Sequence, residues 1–566
     1  MTARRYTVSD YLLDRLAELG VNRIFGVPGD FTLALLDHVD DDDRVEWVGM
    51  ANELGAGYAA DGYARLRGLG VVCTTFGVGE LSAINAVAGA YAEHVPLLHL
   101  VGSPSTLVQS AGRATHHSLG DGDFAHTLRM TAEVTVAQSM VPLVGAEAEI
   151  DRVLTAIVRS SQPGYLSLPT DVGEAPASRP SGPLAIEPSE SDAASLSGFE
   201  AAARALLADA PRPLVLADIL VDRCHAEAEL HDLLGSADLD FACLLWGRRV
   251  IDESDERFLG TYIGAASEPD VRTAVESAAR LITVGVHFTD LTSGFFTQHL
   301  DDAHRVDLLP HAATVAGRVF PGVEMRDGLA VLTRILGAGH RRHGGPGVAP
   351  AAEPVPSHDP LTQADLWQVV TDALRPGDLV FADQGTSFYG LGAHRMPHDV
   401  LFIGQPLWAS IGYTLPAVLG GALAAPERRP VLVIGDGAAQ LSVAELGSII
   451  RMRVPGIILV VNNDGYTVER AIHGPGRRYN DIARWRWADL PWAFGASPDS
   501  VRSVRVETAA ELSGALAAAA GEPGILTFIE AVVDPLDVPP LLTTIAEAAA
   551  AANSRPADRG RTGGLT

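Results

Sequence analysis

The chain contains no lysine; all 42 basic residues among its 566 are arginine. A Schiff-base lysine, a pyridoxal-phosphate lysine and the lysine of a phosphate-binding loop are thereby excluded. If the protein cleaves a carbon–carbon bond beside a carbonyl, its electron sink must be something other than a protein amine. Cysteine is also scarce. Cys73, Cys224 and Cys243 lie far apart and form no metal-ligand spacing, which fits a reducing compartment and packing roles. Positive charge is in deficit, with a net charge of −28, so nucleic acid, which needs a basic face, is not an expected partner. No apolar run reaches the ~18 residues of a membrane span. The start, MTARRYTVSDYLLDRL, has two arginines but no apolar signal-peptide core. It reads as the beginning of a helix, and a cytoplasmic location is expected.

The length exceeds a single core, and 47% apolar with 20% charged residues is ordinary for a globular protein. Pro/Ser/Ala-rich stretches at 174–198 and 339–361 divide the chain into blocks 1–180, 195–340 and 360–550, followed by a tail, 553–566, expected to be disordered. In each block short β-like runs alternate with helical stretches: RIFGV, GVVCTTF and LLHLVG, then PLVLAD and RLITVG, then LVFAD, VLVIG and IILVV. The pattern predicts three α/β domains, each a doubly wound parallel sheet. No short-period repeat is present.

The densest signal runs from Val431 to Glu469. One apolar run ends in Gly435-Asp436-Gly437; residues 438–461 contain a helix-like stretch and a second apolar run, and Asn462-Asn463-Asp464-Gly465 follows. Both turns are thereby predicted at the carboxyl ends of neighbouring parallel strands, where open α/β sheets place ligands. Asp436 and Asn463 offer the oxygens a hard cation such as Mg²⁺ takes, and the glycines admit a diphosphate close to the backbone. A GDG alone is common in turns; the pair at this spacing, each part after a strand, is specific. It matches the thiamine-diphosphate signature, and a thiazolium is a suitable electron sink for a chain without lysine.

In the N-terminal block Gly26-Val27-Pro28-Gly29-Asp30-Phe31 follows a strand-like run, and Asp30 is placed to cap the next helix. An Ala/Gly-rich helix follows, NELGAGYAADGYAR, containing Glu53. Then come the turn TTFGVGEL and the pair His116-His117, which by themselves read as loop residues and not as a zinc site. With ADQGTSFYG, QPLWASIGYTLPA, IGDGAAQLSVAELG and NNDGYTVERAIHG, these segments closely resemble, in order, the pyruvate and indolepyruvate decarboxylase family of thiamine-diphosphate 2-oxo-acid decarboxylases. The resemblance covers most of the first and third blocks; the middle block is carried by its position.

The resemblance implies thiamine diphosphate and Mg²⁺ as cofactors, with Asp436, Asn463 and Gly465 as metal ligands. It assigns Glu53 to the cofactor's aminopyrimidine nitrogen and Ile411 to the prop that bends the cofactor. The Ala409 carbonyl would accept from the cofactor's amine. Further cofactor contacts are implied for Pro28, Gly29, Val78, Thr386, Gly435, Gly437, Ala438 and Ala439. Asp30, His116, His117 and Glu469 match the acid–base set. Glu469 would lie near the departing carboxylate, and Asp30 with His117 would manage protonation and aldehyde release. The family usually has Gly at 409 and Asn at 55, where this chain has alanine and glycine. The implied substrate pocket is Gln384, Phe388, Val468 and Ile472, with residues near Leu541–Ile545. Phe388 and Val468 point to branched-chain or medium aliphatic 2-oxo acids, extending to phenylpyruvate or indolepyruvate. The family's sites form between two chains, so a homodimer at least, and a tetramer by resemblance, is implied.

Two other readings stand beside this one. A thiamine-diphosphate carboligase, of the acetolactate synthase or benzoylformate-lyase type, shares the cofactor. The histidine pair and Glu469 weigh against it, and no dinucleotide glycine fingerprint marks residues 190–340. A non-catalytic binding protein would keep the fold without the chemistry, yet every acidic and histidine position is present.

Overall fold

The structure is a computed structural model and describes residues 5–187, 189–208, 212–337 and 359–554. Of the tail expected to be disordered, 553–566, residues 553 and 554 end a helix and the rest lies outside the described residues, as does most of the second linker, 339–358 of 339–361. The N-terminal segment does form a helix, Val8–Glu18.

Three sheets account for the three blocks. The first contains β1 (Arg23–Gly26), β2 (Glu46–Gly49), β3 (Gly70–Thr75), β4 (Leu97–Ser103), β5 (Ala137–Met140) and β6 (Gly164–Pro169). Its order is β2-β1-β3-β4-β6-β5, and every pair is parallel. The middle sheet contains β7 (Leu214–Ala217), β8 (Phe241–Cys243), β9 (Phe258–Thr261), β10 (Leu281–Val284), β11 (Arg305–Leu309), β12 (Ala312–Val315) and β13 (Arg318–Pro321). Its order is β13-β12-β11-β10-β7-β8-β9. Here the expectation of a parallel sheet holds only in part, because β11, β12 and β13 run antiparallel along one edge. The links Pro310-His311 and Ala316-Gly317 are too short for a crossover and can only return the chain antiparallel. Ala316 and Gly317 both take positive φ, 49° and 78°, as a tight hairpin demands.

The third sheet contains β14 (Leu379–Ala382), β15 (Leu401–Ile403), β16 (Pro430–Gly435), β17 (Gly456–Asn462), β18 (Val501–Val506) and β19 (Leu526–Val532), ordered β15-β14-β16-β17-β19-β18 and all parallel. Counted from its own first strand, this is the order of the first sheet. The two outer domains are therefore topological copies, although no sequence repeat announces it.

The helices that follow the second strand of each copy meet. Helix α1 (Glu53–Arg67) and helix α3 (Thr414–Ala424) pack face to face, with α2 (Val78–Ala92) beside α1. Their Ala/Gly composition sets the closeness. A Cβ at Gly62 would stand 2.2 Å from the Ala417 carbonyl oxygen, and one at Gly420 would stand 1.8 Å from that of Ala59. One hydrophobic core consequently runs through both outer domains. At its edge lies a buried charge cluster. Arg65 pairs with Asp61 at 2.6 Å and donates to the Gly404 carbonyl at 3.1 Å, while Tyr413 donates to Asp61 at 2.5 Å. Charges this deep are tolerated because each is paired.

Candidate active site

Both outer sheets present candidate functional residues at the carboxyl ends of their strands. In the third domain β16 ends at Gly435, and Asp436 opens helix α4 (Asp436–Ser442). Its carboxylate is 1% exposed and accepts from the Gly437 N–H at 2.7 Å and the Gly465 N–H at 3.2 Å. Burial pushes this carboxyl up to about 6, from an ordinary 3.8. Asn463 follows the neighbouring strand β17. In one orientation of its amide the oxygen lies 3.0 Å from Asp436 Oδ1 and 2.8 Å from the Gly465 carbonyl oxygen; in the other the NH₂ group donates to both and the oxygen accepts from Thr467 Oγ1 at 3.0 Å. The first orientation converges three oxygens on one point, a donor set suited to a divalent cation. The residues thus fit Mg²⁺ on a diphosphate. Gly435 would meet nothing within 4 Å if it carried a Cβ, which leaves its backbone open to a ligand.

Helix α5 (Thr467–His473) supports this turn from behind. Arg470, 8% exposed, donates to the carbonyls of Asn463 at 3.1 Å and Asp464 at 2.7 Å. Asp464 has φ 56°, a left-handed conformation that bracing of this kind over-determines. Sequence reading missed Arg470; within TVERAIHG it looks like any exposed helical arginine.

A cavity of about 260 Å³ opens beside these oxygens. Gln384, Thr386, Ala409, Ile411, Gly435, Gly437, Ala438, Val468, Glu469 and Ile472, all marked in the sequence, line it. Two of the third domain's assignments do not reach it. Phe388 is 1% exposed and packs edge-on against Tyr389 and tilted against Phe402, inside the third domain's core. It sits in the helix Thr386–Gly392, where one residue turns the side chain by about 100°, so Tyr389 forms the wall instead. Ala439, 1% exposed, lies in the core shared by the outer domains. The expected wall near Leu541–Ile545 shifts similarly. Leu542, Ile545, Ala546 and Ala549, one face of helix α6 (Pro540–Ser554), line the cavity, whereas Leu541 would touch a Cβ at Gly392. Leu291 and Phe295 close the cavity from the middle domain. No sequence signal pointed to them, since that block carried no motif.

In the first domain Glu53 begins α1, with Asn52 as N-cap accepting from the Gly55 N–H at 2.7 Å. A Cβ at Gly79 would lie 3.2 Å from Glu53 Oε1, and one at Gly29 would strike Thr75 at 2.5 Å. Gly55 now has a reason. The Glu445 carboxylate fills the space a side chain there would need, 2.1 Å from the missing Cβ, and accepts from the N–H groups of Ala51 and Asn52 at 3.2 and 3.3 Å. Asp30 does not cap a helix, because Thr32 holds the N-cap position of Leu33–Asp40. Instead its carboxylate bonds His116 Nε2 at 2.8 Å. The His116 ring stacks on Phe31 at 5.0 Å and meets His117 at 4.6 Å, so ligand atoms of Asp30, His116 and His117 all lie within 4.8 Å of one another. His117 has φ 65°, and its carbonyl oxygen lies 1.7 Å from where a Cβ of Gly77 would be; only glycine lets the histidine loop rest on this turn. Val78 is 53% exposed.

Within one chain the two sets of residues stay apart. Among the described residues none before Leu291 lines the cavity, and Asp30, His116 and His117 are exposed.

Comparison with known proteins decides the family. The N-terminal, central and C-terminal domains of thiamine pyrophosphate enzymes match residues 6–126, 200–325 and 388–531. Similar relatives are named alpha-keto-acid decarboxylase. One from Mycolicibacterium paratuberculosis (strain ATCC BAA-968 / K-10) is 52% identical over 96% of this chain and 97% of its own, and one from Mycobacterium ulcerans (strain Agy99) is 53% identical over 95% of each. The chain belongs to the thiamine-diphosphate-dependent 2-oxo-acid decarboxylases. Among solved structures, a putative thiamin diphosphate-dependent enzyme from Mycobacterium smegmatis shares the fold of this decarboxylase. The TM-score is 0.74 over 94% of this chain and all of that one, at 19% identity. A thiamine diphosphate-dependent 4-hydroxybenzoylformate decarboxylase from Rhodococcus jostii RHA1 scores 0.73 over 93% of this chain and 99% of its own, also at 19% identity. The three-sheet α/β class and the thiamine diphosphate cofactor expected from the sequence are borne out. Among the described residues no helix is long and apolar enough to cross a membrane.

Proposed function

We propose that the enzyme decarboxylates branched-chain and medium aliphatic 2-oxo acids, extending to phenylpyruvate, releasing CO₂ and the aldehyde, as a cytoplasmic homodimer or tetramer that requires Mg²⁺. The observation that carries this is the junction of two chemistries in one cavity. A converging Asp436–Asn463–Gly465 oxygen set stands at one end, and an apolar wall of Val468, Ile472, Leu291, Phe295, Ile545 and Ala546 encloses the rest. The relatives' names point to the same reaction class.

Thiamine diphosphate, when bound, supplies the electron sink that the missing lysine cannot. The residues of this chain do the remainder. Asp436, the Asn463 oxygen and the Gly465 carbonyl hold Mg²⁺. Glu53 holds a proton at the pyrimidine, the Ala409 carbonyl accepts from its amine, and Ile411 props it. Glu469, in the cavity wall, faces the carboxylate that leaves. Asp30 and His117, with His116 hydrogen-bonded to Asp30, deliver the proton for aldehyde release. The apolar wall excludes water and favours loss of a charged carboxylate as neutral CO₂. With Phe388 withdrawn into the core, the substrate reading rests on Val468 and on Ala546 and Ala549, whose small side chains leave room beyond a methyl group.

The test is CO₂ and aldehyde release from a panel of 2-oxo acids, with Mg²⁺ and thiamine diphosphate added or withheld. A kcat/KM higher for pyruvate than for 4-methyl-2-oxopentanoate refutes the substrate assignment. CO₂ without matching free aldehyde transfers the enzyme to the carboligases.

A further inference from the structure

The loop from Gln405 to Ile411 carries two of the residues assigned to the cofactor, Ala409 and Ile411, and it is held by side chains of another domain. Trp408 Nε1 donates to Asn85 Oδ1 at 2.9 Å. Asn85 Nδ2 donates to the Tyr58 hydroxyl at 3.1 Å, and that hydroxyl bonds Ser410 Oγ at 2.7 Å. Both neighbours of Ala409 are therefore joined through a closed chain of side chains on α1 and α2. Ala409 itself has φ 54°, the left-handed region that alanine resists. A strained residue of this kind persists only where its surroundings over-determine it.

We propose that Tyr58 and Asn85 are positioning residues, which fix the direction of the Ala409 carbonyl and of the Ile411 side chain through Ser410 and Trp408. The proposal rests on the assignment of these two residues to the cofactor's pyrimidine end. Three features separate this role from general packing. The loop's backbone is secured elsewhere, since the N–H groups of Leu407 and Trp408 donate to Glu93 at 2.9 and 3.1 Å, and Ala409 N–H donates to the Gln405 carbonyl at 2.9 Å. The Tyr58 ring has its own contact, edge-on against Tyr413 at 5.3 Å, so its hydroxyl is dispensable for packing. The indole of Trp408 lies 2.8 Å from where Gly89 lacks a Cβ, so its direction toward Asn85 is constrained by α2. Helix α1 thereby carries Glu53 in its first turn and Tyr58 in its second; where sites form between chains, Tyr58 acts on the cofactor of its own chain's cavity and Glu53 on that of the partner.

The clamp acts on that end alone, and this makes it testable in the full-length protein. Isothermal titration in saturating Mg²⁺ compares thiamine diphosphate with inorganic pyrophosphate, a probe of the Asp436–Asn463 end only. Tyr58→Phe is expected to weaken thiamine diphosphate about tenfold, the weight of one buried hydrogen bond. It should leave pyrophosphate affinity and the melting temperature of the apoprotein unchanged. Ser410→Ala should do the same, and the double variant should be no weaker than either single one. Equal loss of both ligands, or wild-type affinity for thiamine diphosphate in Tyr58→Phe, overturns the clamp. Ile411→Ala is measured alongside. If it leaves thiamine diphosphate affinity intact, the assignment of the loop to the pyrimidine falls and the clamp with it; if it weakens binding while Tyr58→Phe does not, the clamp alone is refuted.

Discussion

Single residues in this protein are fixed by what they exclude as much as by what they contact. Gly55 is the sharpest case, because a Cβ there meets the Glu445 carboxylate at 2.1 Å. Glu445 is fully buried and holds the N-cap turn that positions Glu53. Gly55→Ala should displace that carboxylate and lower stability by about 1–3 kcal/mol, the usual cost of overpacking. Denaturant titration checks it, with cofactor-dependent activity falling in parallel as Glu53 moves. Asp383 sets a pH dependence. It follows β14, is 1% exposed, and accepts from Thr414 Oγ1 at 2.6 Å and from the N–H groups of Gly412 and Thr414 at 3.1 and 3.2 Å. Burial pushes its carboxyl up from 3.8 to about 6 despite those donors. The folded protein therefore keeps a proton that the unfolded chain releases between these values. The associated stability is complete below about pH 4 and is lost as pH rises through 6, about 3 kcal/mol for a shift of this size. Comparing unfolding of the wild type and Asp383→Asn at pH 4.5 and 7 should show the asparagine variant losing this share of the slope.

Among the elements, α1 and α3 govern how the two outer domains meet. Gly420→Ala would place a methyl 1.8 Å from the Ala59 carbonyl, where backbone on both sides leaves no rotamer to yield. The expected result is a loss of about 1–3 kcal/mol and, by calorimetry, two unfolding transitions for the outer domains where the shared core of the wild type predicts one. Helix α6 sets the far wall of the cavity. Ala546→Phe should fill it, lowering kcat/KM for phenylpyruvate and 4-methyl-2-oxopentanoate at least tenfold while pyruvate changes little, since one lost pocket contact is worth about 1–3 kcal/mol. These elements also show what the sequence makes legible. The GDG and NNDG turns were readable because metal and diphosphate chemistry is local: the residue types, their spacing and the preceding apolar strands all lie on one stretch of chain. The shared order of the first and third sheets was not, because topology constrains hydrogen-bonded neighbours and leaves the side chains free to diverge. Phe388 misled for a geometric reason. Its neighbour Tyr389 is equally aromatic, and only the phase of a seven-residue helix decides which of the two faces the cavity. Leu291 and Phe295 were invisible because they reach the site from another domain. Phe295 does so in a left-handed conformation, φ 60°, that no local pattern signals.

At the scale of the whole molecule, one chain carries two sets of candidate site residues that do not share a cavity. Asp30 follows β1, Glu53 follows β2, and the histidine pair sits in the loop resting on Gly77. Asp436 and the cavity sit at the ends of β16 and β17. Exposed apolar side chains accompany each set: Leu33, Val78 and Leu81 beside the first, Leu441 beside the second, each at least 38% exposed. Apolar surface next to incomplete chemistry is what a symmetric partner would cover. If two chains complete each other's sites, two different defects can compensate. Glu53→Gln spoils the first half-site of its chain, and Asp436→Ala spoils the second. In a dimer with one chain of each kind, one site receives both defects and the other receives neither. Random mixing makes half of the dimers mixed, each with one working site of two, so a preparation unfolded and refolded together should recover about a quarter of wild-type activity from two inactive parents. Were each site built within a single chain, every site in the mixture would contain one defect. Activity would then stay at the level of the parents at every mixing ratio, so the ratio series distinguishes the two arrangements without requiring the oligomer's structure.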